Sequence, residues 1–164
     1  MRRVRYSAAM SLDGYITGPS GEIDWIVMDP DIDFGALMGS FDTLLMGRKS
    51  YQAGLQMGGA GMPRTLRKED CPGVTVSTDP AAVVDQLRQM PGKDIWLFGG
   101  GELFASMLAM GLVDAVEVAV IPVLLGGGTP LLPAVGKGCK LTLAHHHHYQ
   151  KTGTMMLEYR VSAA

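Results

Sequence analysis

Apolar and polar residues alternate at Val4, Tyr6 and Ala8, which predicts a first strand over residues 3–9. Phe34, Leu37, Met38 and Phe41 recur at i, i+3, i+4, i+7, the face of a helix with Asp31 and Asp33 at its start. A short apolar run at 43–46 predicts a second strand ending at Gly47, and a second helix is expected to begin near 48–50. Val74 and Val76 predict another strand ending at Ser77 and Thr78. Asp79 and Pro80 then supply an N-cap and a first-turn proline for a helix that uses Val83, Val84, Leu87 and Met90.

The apolar run 95–98 is long enough for a buried strand and leads into three glycines, Gly99, Gly100 and Gly101. Leu103, Phe104, Met107 and Leu108 follow as a helical stripe, and Gly111 stands where that helix should stop. Val116, Val118 and Val120 alternate in a strand closed by Pro122. Two further alternating runs, through Leu141 and Leu143 and through Met155, Leu157, Tyr159 and Val161, flank Lys151-Thr152-Gly153 and predict a C-terminal antiparallel hairpin. Residues 11–21 and 54–63 are punctuated by glycine and proline and read as loops, the first a mobile one. Strands alternating with helices, closed by a hairpin, imply α/β layers around a mixed sheet in one domain spanning 1–164.

Composition narrows the classes. The chain has 164 residues, 47% hydrophobic and 18% charged, which suits an ordinary globular protein with a sizeable core. A formal net charge of −2 leaves no basic footprint for nucleic acid, so an anionic ligand must be held locally. Cys71 and Cys139 are the only cysteines and suggest no disulfide framework. No signal-type or membrane-spanning stretch is expected, and the reading is a cytoplasmic protein.

Three strand ends carry residues suited to one long anionic ligand: Gly47-Arg48-Lys49-Ser50, Ser77-Thr78, and Gly99-Gly100-Gly101 with its helix N-terminus. Glycines admit a ligand to the main chain, and the helix dipole favours an anion. Arg48 offers a planar fork and Lys49 a point charge. The alternatives are a solvated helical turn for Arg48-Lys49 and helix capping for Ser77-Thr78. The spacing fits neither the G-x-G-x-x-G fingerprint nor the P-loop.

The segments SLDGYITG, DTLLMGRKSYQ, DIWLFGGGELF and LVDAVEVAVIPVLLGGGTPLLP occur in that order. Together they resemble the dihydrofolate reductase-like superfamily. The branch most resembled is the C-terminal reductase domain of the riboflavin-biosynthesis deaminase-reductase, with its stand-alone relatives. The resemblance implies a three-layer αβα fold with a mixed, mostly parallel sheet. It also implies an NADPH-dependent reductase acting on a pyrimidine- or pterin-like heterocycle, as 5-amino-6-(5-phosphoribosylamino)uracil reductase does.

By the same resemblance Gly47, Arg48, Lys49 and Ser50 run along the adenosine phosphates, and Ser77 and Thr78 meet the ribose 2′-phosphate. Gly99, Gly100, Gly101, Glu102 and Leu103 cradle the pyrophosphate. Ala9 and Ile16 flank the nicotinamide beneath an active-site loop at 13–21. Asp31 falls where a true dihydrofolate reductase has its acid, though helix capping by Asp31 or Asp33 is the competing reading. Asp13 is the second catalytic candidate, for orienting substrate or relaying a proton, or else a turn residue. Trp25 and Phe98 are aromatic candidates for contact with a flat substrate, with burial the alternative for Trp25.

The chain departs from the riboflavin branch in having no Arg or Lys between Arg5 and Arg48. Glu117 is expected to face solvent or an oligomer contact. His145–His148 should lie in a strand, and no metal site is expected there. The apolar C-terminal strands suggest a homodimer. Two rival functions are a true dihydrofolate reductase and an NADPH-binding sensor without turnover.

Overall fold

The computed structural model describes residues 1–56, 74–133 and 138–162. Among these residues six strands form one mixed sheet: β1 (Val4–Ser11), β3 (Phe41–Met46), β4 (Asp94–Gly99), β5 (Ala115–Ile121), β7 (Leu141–Tyr149) and β8 (Thr154–Val161). Their order across the sheet is β3-β4-β1-β5-β8-β7. The first four run parallel, whereas β8 pairs antiparallel with both β5 and β7. A two-stranded ribbon joins β2 (Tyr15–Thr17) to β6 (Thr129–Pro130). The helices are α1 (Phe34–Gly39), α2 (Arg48–Gln56), α3 (Pro80–Gln89) and α4 (Gly101–Ala109).

The period-two alternation sorts each strand between two faces. Val4 and Tyr6, Ile95 and Leu97, and Val116 and Val118 point to one face and pack with Val84 of α3 and Phe104 and Met107 of α4. Each such aliphatic side chain, fully buried, contributes roughly 1.5–3 kcal/mol relative to exposure. Tyr6 stacks on Phe104 with ring centroids 3.8 Å apart, and burial pushes its hydroxyl pKa up to about 12. The intervening residues, Arg5, Ser7, Ala9, Trp96, Glu117 and Ala119, face the opposite side, where α1 and residues 26–33 stand off the sheet around a cavity. This is the expected α/β architecture with its C-terminal hairpin.

One open choice is resolved and three local expectations are corrected. Asp33, and not Asp31, caps α1: its Oδ1 accepts the Ala36 N–H at 2.8 Å. Residues 54–56, expected in a loop, complete α2, and the rest of that glycine-rich stretch, with Cys71, lies outside the described residues. Residues 74–79 carry no strand; Ser77 instead accepts the Asp79 N–H at 3.0 Å and shapes the entry to α3. The 11–21 segment is tied down by the β2–β6 ribbon and by Leu131 N–H donating to Gly14 O at 2.9 Å. There Gly128 approaches so closely that a Cβ would stand 2.0 Å from Thr17 O.

The capping outcomes at Asp79 follow the sequence directly. Its side chain accepts the Ala82 N–H at 3.0 Å, with Pro80 in the first turn of α3.

Candidate functional site

A cavity of about 710 Å³ opens on the sheet face away from α3 and α4. Strand register lays its floor out in rows. Ser7 stands beside Glu117, Glu117 opposite Glu158, and Glu158 opposite His145. Two residues nearer the carboxyl end of β1 and β5, Ala9, Ala119, Met156 and His147 form the next row. The first row is polar, and the second begins with two alanines that leave room above the sheet. Trp96 closes one side, stacked at 5.5 Å on Phe41, and Ile26, Met28, Phe34 and Leu37 supply apolar walls.

Glu117 is therefore an interior residue, 7% exposed in the cavity floor, where the sequence pattern predicts one facing solvent or an oligomer contact. Arg5 Nε donates to Glu117 Oε1 at 2.5 Å and Ser7 Oγ donates to Oε2 at 2.7 Å. Burial works against the Arg5 charge, but Glu117, Asp94 and Glu158 outweigh it and raise the guanidinium pKa. A buried charge survives only when paired and hydrogen-bonded in this way.

The outer wall is clasped to the β7–β8 turn. Asp29 is 1% exposed, and its carboxylate accepts the Asp31 N–H at 2.9 Å, the Thr152 N–H at 3.1 Å and the Thr152 hydroxyl at 2.9 Å. Burial tends to raise the Asp29 pKa, but these hydrogen bonds and the charge of Lys151 bring it below the ordinary carboxylate value. Asp31 lines the cavity and is exposed, with Lys151 Nζ 2.6 Å from its Oδ1. Asp13 has a different task. Its carboxylate accepts the Ser11 hydroxyl at 2.6 Å and the Leu125 and Gly126 N–H groups at 3.2 and 2.8 Å, which holds two loops together, and it does not line the cavity.

At the carboxyl ends of β3 and β4 the glycines form a cradle. Gly47 N–H donates to Gly99 O at 2.8 Å, and the Gly99–Gly100 peptide is cis. A Cβ on Gly100 would stand 3.0 Å from Ser50 Oγ, and one on Gly101 3.0 Å from Pro133. Gly100 caps α4 without a side-chain hydrogen bond, so the first N–H groups of that helix, through Leu103, lack an intrahelical acceptor. Lys49 Nζ lies 2.8 Å from Glu102 Oε1 across the cradle, both exposed. Lys49 first, and Arg48 more weakly, hold Glu102 below the ordinary carboxyl range. A bare backbone, an uncapped helix N-terminus and two cations are a donor set that fits a nucleotide's phosphates.

Ser77 and Thr78 are exposed at the start of α3, with the Ser77 hydroxyl engaged in its turn. Ile16 sits in β2, outside the cavity lining. The two aromatic candidates lie apart from the cavity lining. Trp25 is half-buried with its indole N–H donating to Glu22 O at 3.1 Å, Phe98 packs edge-on to Trp96 at 5.1 Å, and neither lines the cavity. Trp96 does. Ala9 and Asp31 are the sequence candidates that meet there; Trp96, Glu117 and Glu158 line the cavity too, and Asp29 braces its wall, and sequence reasoning missed these four.

The fold and this strand-end site define a dihydrofolate reductase-like protein. Residues 61–154 match the model of the RibD C-terminal domain, and the chain belongs to that family. It is 31% identical to the uncharacterized protein YyaP of Bacillus subtilis (strain 168), over 96% of this chain and 94% of that one. It is 30% identical to YwjB of the same organism, over 82% and 85% of the two chains. Among solved structures it resembles a candidate riboflavin biosynthesis protein from Shewanella sp. PV-4, with a TM-score of 0.81 at 22% identity over 98% of this chain and 99% of that one. The Thermotoga maritima diaminohydroxyphosphoribosylaminopyrimidine deaminase/5-amino-6-(5-phosphoribosylamino)uracil reductase superposes with a TM-score of 0.69 at 15% identity, over 98% of this chain and 57% of that one.

Proposed function

We propose that the protein is an NADPH-dependent reductase acting on a pyrimidine- or pterin-like nitrogen heterocycle. The observation that carries this reading is the adjacency of the two halves of the site. The Gly47/Gly99–Gly101 cradle ends β3 and β4, and Ala9, near the end of neighbouring β1, belongs to the cavity floor. Open α/β sheets bind their ligands at such strand ends.

NADPH, when bound, supplies the hydride. The chain supplies position and electrostatics. Gly47, Ser50 and the uncapped N-terminus of α4 would hold the pyrophosphate with Lys49 as the cation beside it, and Arg48 would serve the ribose 2′-phosphate. Ala9 leaves room for two flat rings to meet, and the apolar walls exclude water from between them. At the rim the Asp31–Lys151 pair carries its proton on Lys151 Nζ, 2.6 Å from Asp31 Oδ1, and this pair is the candidate to supply the proton that the reduced ring takes up. Asp13 is spent on the loops and has no part in that step.

The exposed edge strand β7 is the surface on which we place a homodimer contact, since a long unpaired edge invites a partner strand. No helix among the described residues is long and apolar enough to cross a membrane.

Calorimetric titration with NADPH and NADH, with and without methotrexate, tests the reading. NADPH binding tighter than NADH supports it. Methotrexate coupling would shift the assignment to a true dihydrofolate reductase, and absence of binding by either nucleotide overturns it. NADPH binding without oxidation by any pterin, pyrimidine or quinone would favour a sensor.

A further inference from the structure

The polar row on the cavity floor sets two carboxylates side by side, with Arg5 paired directly to only one of them. Glu117 and Glu158 are directly opposite on antiparallel β5 and β8. Residues in that relation have Cβ atoms about 4.5–5.5 Å apart, and like charges there destabilise the sheet. Of the four carboxylates lining the cavity, three are engaged: Glu117 by Arg5 and Ser7, Asp31 by Lys151, and Asp33 by the first turn of α1. Arg5 is further shared with Asp94, 3.4 Å away. The Glu158 carboxylate has no hydrogen-bond partner among the described residues and feels Arg5 only through longer-range attraction. It is partly buried in the cavity lining, one row from Ala119 and Met156.

We infer that Glu158 is the specificity residue of the cavity, and that it accepts paired N–H donors from the inner edge of the substrate. The substrate is then an amino-substituted nitrogen heterocycle with an amidine-type edge, neutral or cationic, whose ring lies over Ala119 beside Ala9. A carboxylate accepts two such donors at once, and a charged acceptor makes stronger hydrogen bonds than a neutral one. Donors or a positive charge arriving there also relieve the Glu117–Glu158 repulsion. An anionic substrate edge would add to it. This assignment rests on the cavity being the substrate pocket of the proposed reductase.

The test is calorimetric binding of 2,4-diaminopyrimidine, uracil and orotate to the wild-type protein and to Glu158→Gln, each with and without NADPH. The diamino ring should bind the wild type at least tenfold tighter than uracil and far tighter than orotate. Glu158→Gln should erase that preference and, by removing one of two facing like charges, raise the melting temperature slightly while leaving NADPH affinity unchanged, and Glu158→Asp should restore part of the preference. Equal affinity of wild type and Glu158→Gln for the diamino ring overturns the assignment, as does absence of binding by all three probes. If NADPH fails to bind but the preference is present and depends on Glu158, the reductase reading falls and the assignment of Glu158 stands.

Discussion

The Asp29 carboxylate accepts both the backbone N–H and the hydroxyl of Thr152, a residue 123 positions further along the chain. This clasp joins the outer wall of the cavity to the β7–β8 turn, and Lys151 beside it reaches Asp31. Asp29→Asn removes the charge and one set of acceptor lone pairs, so it should lower the melting temperature and weaken ligand binding in the cavity together. The pH dependence has a definite sign. Because the folded-state pKa of Asp29 lies below its ordinary value, its stabilisation is complete above the unfolded carboxylate pKa, about 3.9. It is lost as pH falls through the lower folded value. The melting-temperature gap between wild type and Asp29→Asn should therefore be full at neutral pH and close only in acid; a gap that widens below pH 4 contradicts the assignment.

The cradle can be filled without disturbing the backbone. Gly100 has φ −80° and ψ −176°, which any residue adopts, but a Cβ there meets Ser50 Oγ at 3.0 Å. Gly100→Val should fold, by circular dichroism, and bind NADPH at least tenfold more weakly. Unchanged affinity would move the phosphates elsewhere.

Arg48 is exposed at the first position of α2, beside the cradle. If it serves the 2′-phosphate, Arg48→Ala should weaken NADPH about tenfold, or ~1.4 kcal/mol, and leave NADH nearly unchanged. Equal losses for both nucleotides would remove that role.

Leu97 is completely buried between β1 and the α3–α4 layer. Leu97→Ala should cost about 2–5 kcal/mol in urea unfolding. The cavity lies on the other face of the sheet, so NADPH affinity measured well below the unfolding transition should change little.

Much of the architecture was legible in the chain. Alternation at Val4 and Tyr6, at Val116 and Val118, and at Leu157 and Tyr159 gave strands, because a strand with one covered face must repeat every two residues. The glycines before Leu103 gave a strand-to-helix turn with an uncapped N-terminus, since local chemistry alone sets that feature. The segment at 74–78 shows the limit of such reasoning. Two valines at a spacing of two are consistent with a strand, yet a strand exists only where a neighbour accepts its hydrogen bonds.

The site itself was decided by tertiary structure. Asp29, Asp31 and Asp33 are indistinguishable as a run of alternating acids, and only Thr152, Lys151 and the start of α1 give them three different tasks. Glu117 reads as an outward residue of an alternating strand until Arg5 of β1 is placed beside it. The register shift between Leu143 and His145 puts His145 on the same face as Glu158, and nothing local to β7 announces that shift. Sequence periodicity determines which residues share a face. Which face closes over a ligand, and which carboxylate is left unpaired within it, depends on partners brought together from distant parts of the chain.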